Sequence, residues 1–499
     1  MNFILAILCL AAPIAFYFYN NPLSHSRWFM LRRFINWFPL GMTYAFLYMG
    51  RLNLNVAKNA LGPMMTKEEF GVITAIGTWT YALSFLVNGP LVDRIGGKRG
   101  IMIAAVGASI ANLLLGGLTF LLLMGRLPVN KVLAYSALYS LNMYFQSYGA
   151  VSIIKVKAYW FHVRERGVFG AIFGTLISLG VYLAFDWGQA IVDMTKVSAR
   201  SEPHSWLAGL LQSTFSLPSK AVDTTWALFF IPAVILLFWA LLDYFCIKDT
   251  PEEADFEHFD PHDASSGQMH LELTRSDLLK KVFTSRLMML IAAVGLTTGV
   301  LRNGILSWYF VYANEVKQPG AEFIQKHWGL LLCIFGIIGG FAGGLISDKL
   351  FHSRRGPPAV LLCGFTLLMT ILMAFSLNSH PRLLGLAALL ITMAVIGVHS
   401  LMSGTAAADF GGRKATATCS GLVDGFVYLG GGIQSMSLGF LVGQNWLWWP
   451  VFLMPFALAG GLLAMKFWHD LPEATKKYIA QKERKEEVAD KPLVAPLVR

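Results

Sequence analysis

Apolar residues run along nearly the whole chain in blocks of about 20, the length an α-helix needs to cross a bilayer. Short polar turns rich in Lys, Arg, Gly or Pro separate them. A buried backbone in lipid must satisfy its own hydrogen bonds, so the blocks are read as helices. The apolar/polar alternation of an outer-membrane barrel is absent. The pattern predicts helices over 34–57, 70–91, 100–124, 131–153, 166–187 and 224–246 in the first half. In the second half it predicts 287–312, 328–349, 358–377, 382–405, 416–442 and 447–467. The expected fold class is therefore all-α and polytopic. Residues 3–19 form one more apolar run, with no Lys or Arg before it as a secretory signal would have. It reads as an extra helix or as one lying at the interface.

Two longer polar segments interrupt the blocks. Residues 188–222 read as an outer loop, and 247–285, rich in Asp, Glu and His, as the link between two halves. The expected organisation is an N-terminal helix (1–24), a first bundle (25–246), a linker (247–285), a second bundle (286–468) and a basic tail (469–499).

Composition sharpens this picture. Of 499 residues, 55% are hydrophobic and 14% charged, against roughly 25% charged in soluble domains. The net charge of +11 does not point to nucleic acid. The cations Arg27, Arg32, Arg33, Arg94, Lys98, Arg99, Lys155, Lys157, Arg164, Arg166, Lys349, Arg354, Arg355, Arg413 and Lys414 all fall on one predicted side. That is the asymmetry that orients a membrane protein with this side in the cytoplasm. The five cysteines are odd in number, lie in or beside apolar runs and form no CxxC, so neither a disulfide nor a metal site is expected. No HExxH, Walker or nucleophile-elbow pattern occurs. The expectation is a protein that is not an enzyme and needs no cofactor. It would sit as a multi-pass monomer in a bacterial inner membrane, with the bilayer and a small anion as its partners.

The chain also repeats itself. The turn Gly89-Pro90-Leu91-Val92-Asp93-Arg94-Ile95-Gly96-Gly97-Lys98-Arg99 returns in weaker form as Gly343-Gly344-Leu345-Ile346-Ser347-Asp348-Lys349. Arg51 is matched half a chain later by Arg302, and Arg164-Glu165-Arg166-Gly167 by Gly412-Arg413-Lys414-Ala415. Landmarks at nearly one spacing imply two six-helix bundles related by internal pseudo-symmetry. Such bundles rock about a site near the bilayer midplane.

The turn at 89–99 resembles the loop motif of the major facilitator superfamily between helices two and three. Five stretches narrow the resemblance to the organophosphate:phosphate antiporters. They are Tyr44-x-x-x-Tyr48-x-x-Arg51-x-Asn53; Phe145-Gln146-Ser147 with Trp160, Glu165, Arg166 and Gly167; Lys248-Asp249-Thr250-Pro251; Leu301-Arg302-Asn303-Gly304-Ile305-Leu306-Ser307-Trp308; and Gly421 with Tyr428-Leu429-Gly430-Gly431. The similarity spans roughly 34–470. By position, the resemblance implies that Arg51 and Arg302 hold a substrate phosphate and that Tyr44 and Tyr48 line the same cavity. Two departures stand out. A substrate-binding lysine of the family's second helix is Phe85 here, and a histidine of its fifth helix is Ile177.

Elementary chemistry agrees with the arginines. A charge in mid-membrane costs about 2.5–3.5 kcal/mol on insertion scales, so it faces a wet cavity or a counter-charge. A guanidinium offers forked donors to phosphate or carboxylate. Two facing cations repel when empty, and a bound dianion relieves this and draws the halves together. Against this stands charge pairing: Asp186 or Asp424 is an alternative partner for one arginine. Asp424 is equally readable as a proton-coupling carboxylate, and His399 as a proton carrier or a hydrogen-bonded helix residue. Asp93, Arg94, Lys98, Arg99 and Asp348 read as gating residues, with Asp93 latching the cytoplasmic side of the outward-facing state. The expected function is a secondary transporter exchanging an organophosphate for inorganic phosphate. The alternatives are proton-coupled transport of a carboxylate or other polar solute, and a transporter-like sensor of phosphate esters.

Overall fold

The structure, a computed structural model, describes residues 10–11, 14–19, 21, 23–127, 129–162, 165–195, 225–257, 259, 283–351 and 354–470. Side chains at 86, 158, 166–171, 195, 348 and 404–418 are outside the description. Twelve long helices follow one another: α1 Arg27–Leu61, α2 Lys67–Ile95, α3 Gly97–Leu123, α4 Lys131–Trp160, α5 Arg166–Tyr182 and α6 Ala227–Cys246, then α7 Arg286–Val316, α8 Trp328–Leu345, α9 Gly356–Ser376, α10 Pro381–His399, α11 Ala407–Gln444 and α12 Trp448–Met465. Single π turns extend α5 (Leu183–Trp187), α8 (Ile346–Leu350) and α10 (Ser400–Ala406).

Local sequence explains the ends. Ser26 accepts from Phe29 N, Asn130 from Leu133 N and Ser285 from Met288 N, each satisfying a free amide of a first turn. Thr66 and Glu69 form a reciprocal capping box on α2. Gly96 turns the chain between α2 and α3 with φ +91°, a region that disfavours any side chain. α2 bends by 50° between Lys67–Phe85 and Val87–Ile95. Pro90 has no amide proton to offer the carbonyl four residues earlier, and that missing bond is the cause of the bend.

Among the described residues, nine helices are long and apolar enough to cross a membrane, and ten if the bent α2 counts as one span. α1 and α4 are not among the nine, because they carry the polar lining. Arg51, Asn53, Asn142 and Gln146 are buried on them. The faces turned outward on α6 and α9 are apolar instead, with Phe238, Leu241, Leu361 and Phe375 exposed, as lipid contact requires.

The halves meet at the end opposite the cationic loops. There α2 packs on α11 so closely that a Cβ on Gly71 would lie 2.6 Å from Ser435 O and 2.7 Å from Gly439 Cα. Such contact between small residues lets helices approach. Asn59 donates to Phe310 O at 3.1 Å, and Lys67 pairs with Glu315 at 2.9 Å, joining α1 and α2 to α7. Towards the cationic loops a Cβ on Gly89 or Gly421 would meet nothing within 4 Å.

Residues 14–19 are helical and dock on the cytoplasmic end of α1. Tyr17 donates to Met30 O at 2.8 Å, accepts from Arg33 Nε at 2.9 Å, and packs edge-on against Trp37. The start of the linker is tied to the first half as well. Asp249 accepts from Lys98 N at 2.8 Å, and Trp160 Nε1 donates to Lys248 O at 3.0 Å.

Candidate functional site

Arg51 is 4% exposed and held from three directions. Its Nε donates to Gln146 Oε1 on α4 at 3.1 Å, one Nη to Tyr81 OH on α2 at 2.9 Å, and the other to Tyr428 OH on α11 at 3.2 Å. The guanidinium carbon also lies 4.6 Å from the Tyr48 ring centre and 4.4 Å from that of Tyr81, within cation–π range. Tyr139 OH donates to the Arg51 carbonyl, which fixes the backbone beneath it. Arg302, half-buried on α7, lies near Tyr48 of α1 and close enough to Arg51 for their charges to repel. The arrangement is therefore crossed. The arginine of the first half reaches a tyrosine of the second, and the arginine of the second lies near a tyrosine of the first.

Tyr44 completes the group, with its ring edge-on to Tyr48 at 5.4 Å. Phe85 stands edge-on to Tyr81 at 4.7 Å and lies nearly parallel to Tyr428 at 6.0 Å. Arg302 also faces a cavity of about 40 Å³, walled by Ile177, Leu306, Leu332 and Ile396 together with the hydroxyl residues Ser178 and Thr392. Of the two positions that depart from the resembled family, Phe85 thus packs on the tyrosines that hold Arg51, and Ile177 borders Arg302.

The remaining candidates are spread more widely. Asp424 lies beside this group: Ser403 Oγ donates to its Oδ1 at 2.6 Å, and His399 Nε2 is 3.9 Å away. Arg302 exerts its charge on both. Asp186 is elsewhere. It accepts from Gly329 N at 2.9 Å and Leu330 N at 3.3 Å, capping the start of α8 at the outer end. The expectation that Asp186 pairs with an arginine is corrected: the free amides and dipole of a helix N-terminus satisfy it instead. Asp93 pairs with Lys155 of its own half at 3.1 Å, so here it makes no latch across the halves. Arg94, Lys98 and Arg99 line a cytoplasmic cavity of about 680 Å³ with Lys155 and Asp249. The side chains of Asp348, Arg413 and Lys414 lie outside the described residues.

Three partners escaped sequence reasoning. Tyr81 and Ser403 carry no distinctive signal in one sequence. Gln146 was visible as a motif residue, but not as the acceptor for Arg51. At the cytoplasmic rim Arg33, read only as an orienting charge, forms a two-point bond with Glu165, both at 2.8 Å and nearly fully buried. Burial alone would raise the Glu165 carboxyl. Hydrogen bonds from His25 and Arg33, with the Arg33 charge, instead bring it down to about 2.

Twelve helices in two halves meeting around a central polar group define a membrane transporter fold. Residues 34–435 match the Major Facilitator Superfamily, and the chain belongs to that family. It is 25% identical over 414 residues to the glycerol-3-phosphate transporter of Bacillus subtilis, covering 81% of this chain and 85% of that one. It is 23% identical over 426 residues to the membrane sensor protein UhpC of Salmonella typhimurium, covering 85% and 88%. Among solved structures it resembles a bacterial homologue of the human lysosomal transporter Spinster in an inward-facing, unoccupied conformation. The TM-score is 0.70 at 15% identity, over 89% of this chain and 98% of that one. That likeness bears on fold alone.

Proposed function

We propose that the protein is a secondary transporter of a small organic anion, an organophosphate exchanged for inorganic phosphate by alternating access. The crossed arrangement of Arg51 and Arg302 carries this reading. Guanidinium groups from opposite halves share one tyrosine-lined site, so an anion bound there touches both halves and its affinity changes as they rock. The relatives named glycerol-3-phosphate and hexose phosphate transporters support the same substrate class.

Proteoliposomes loaded with phosphate test it. Counterflow of labelled phosphate against external phosphate esters is expected, with none from empty vesicles. Uptake driven by a proton gradient without internal phosphate contradicts obligatory exchange and favours proton coupling through Asp424. A second reading, a sensor of phosphate esters, has the similarity to UhpC in its favour. It predicts saturable binding with no flux in the same vesicles.

A further inference from the structure

The cavity beside Arg302 is built from both halves. Ile177 and Ser178 reach it from α5 of the first half, and Arg302, Leu332 and Thr392 from α7, α8 and α10 of the second. Its volume is about 40 Å³, where a single water needs about 10–15 Å³. A hydroxymethyl group or slightly more therefore fits beside the guanidinium.

The polar atoms on its wall differ in what they offer. Thr392 Oγ1 donates to Ala388 O at 3.0 Å, so its one proton is committed and a lone pair remains to accept. Ser178 is free in both senses. A serine inside a helix commonly bonds back to the preceding turn, as Ser84 and Ser152 do here. The Ser178 hydroxyl has no hydrogen-bond partner among the described residues. It faces across the junction of the halves, 3.5 Å from where a Cβ on Gly336 of α8 would lie. An ionised phosphate oxygen suits Arg302 and Ser178 but brings no proton to Thr392. An alkyl carbon suits none of the three. A ligand hydroxyl suits both hydroxyl residues: it donates to Thr392 and accepts from Ser178, and Arg302 stays available to the phosphate.

Resting on the anion-transport reading above, we propose that Ser178 and Thr392 recognise a hydroxyl close to the phosphate of the organic substrate, so that the site separates a hydroxylated phosphate ester from its alkyl counterpart. Because one residue lies in each half, that hydroxyl joins the halves alongside the bound phosphate.

The probes are glycerol 3-phosphate and propyl phosphate, equal in charge and chain length and different only in their hydroxyls. Titration calorimetry on the purified full chain gives the ratio of their dissociation constants, with inorganic phosphate as control for the anion site. Wild type is expected to bind glycerol 3-phosphate about tenfold more tightly than propyl phosphate. Ser178→Ala and Thr392→Val should each bring this ratio to about threefold or less, with phosphate and propyl phosphate affinities within about twofold of wild type. Thr392→Ser keeps the acceptor and should keep the wild-type ratio. A general disturbance of the fold would move all three ligands together. Equal binding of the two esters by wild type overturns the proposal, even where phosphate binds. A wild-type ratio that survives in Ser178→Ala or in Thr392→Val overturns it too. So does loss of phosphate binding in either folded variant, which would put that residue at the phosphate. If wild type binds none of the three ligands, the anion site itself is wrong and this inference falls with it.

Discussion

Arg51 donates to three side-chain oxygens and lies against two tyrosine rings, whereas Arg302, its counterpart in the second half, keeps one side on a small cavity walled by aliphatic residues and the hydroxyls of Ser178 and Thr392. The first half surrounds its arginine with neutral acceptors. The second sets a carboxylate and a histidine nearby. The two cations at the proposed shared site therefore have unlike surroundings. Arg51 ties α1, α2, α4 and α11 together, while Arg302 has fewer fixed partners and borders open space.

The sharpest way to break this contrast is to remove each cation in turn. Arg51→Ala strands Gln146, Tyr81 and Tyr428 without their donor and should cost about 3–5 kcal/mol of stability, as opening a buried charged network does. Arg302→Ala should cost less than about 1 kcal/mol of stability, yet weaken anion binding by about a hundredfold or more. Thermal unfolding and calorimetry on the two variants check both. Equal losses of stability would erase the distinction.

Glu165→Gln provides a reference for a purely structural pair. It should destabilise the first half by about 3 kcal/mol with anion affinity unchanged. Because the folded carboxyl is depressed to about 2, its contribution is complete above the unfolded value near 4.3. It is lost as pH falls through that value towards 2. A wild-type protein whose melting temperature falls over this window more steeply than that of Glu165→Gln bears this out.

The contact between the halves can be wedged open at the outer end. Gly71→Leu has no room beside Ser435 and Gly439 and should shift the population outward, raising external labelling of Asn59→Cys several-fold. Lys67→Ala removes only a partly exposed pair with Glu315, and a change within about 1 kcal/mol is expected.

Much of this was legible in the chain. Helix number and order followed from apolar blocks, because lipid leaves a backbone few options. The proposal that Arg51 and Arg302 share a site starts from their repeat positions, since unneutralised charge in a membrane needs a reason. Tyr81 and Ser403 were not legible, because tyrosines and serines are ordinary in membrane helices and only helix rotation decides which way they face. Asp186 misled for a related reason. Its position near the end of α5 was visible, but the α8 amides it caps lie more than a hundred residues away. Arg33 looked like one more orienting cation until the fold brought Glu165 against it.

The most direct test of a single anion site shared by both halves is a double-mutant cycle. Arg51→Lys, Arg302→Lys and the double variant are titrated with inorganic phosphate. A shared site predicts a coupling of about 1 kcal/mol or more between the substitutions. Additivity within about 0.5 kcal/mol contradicts it and leaves the two arginines acting independently.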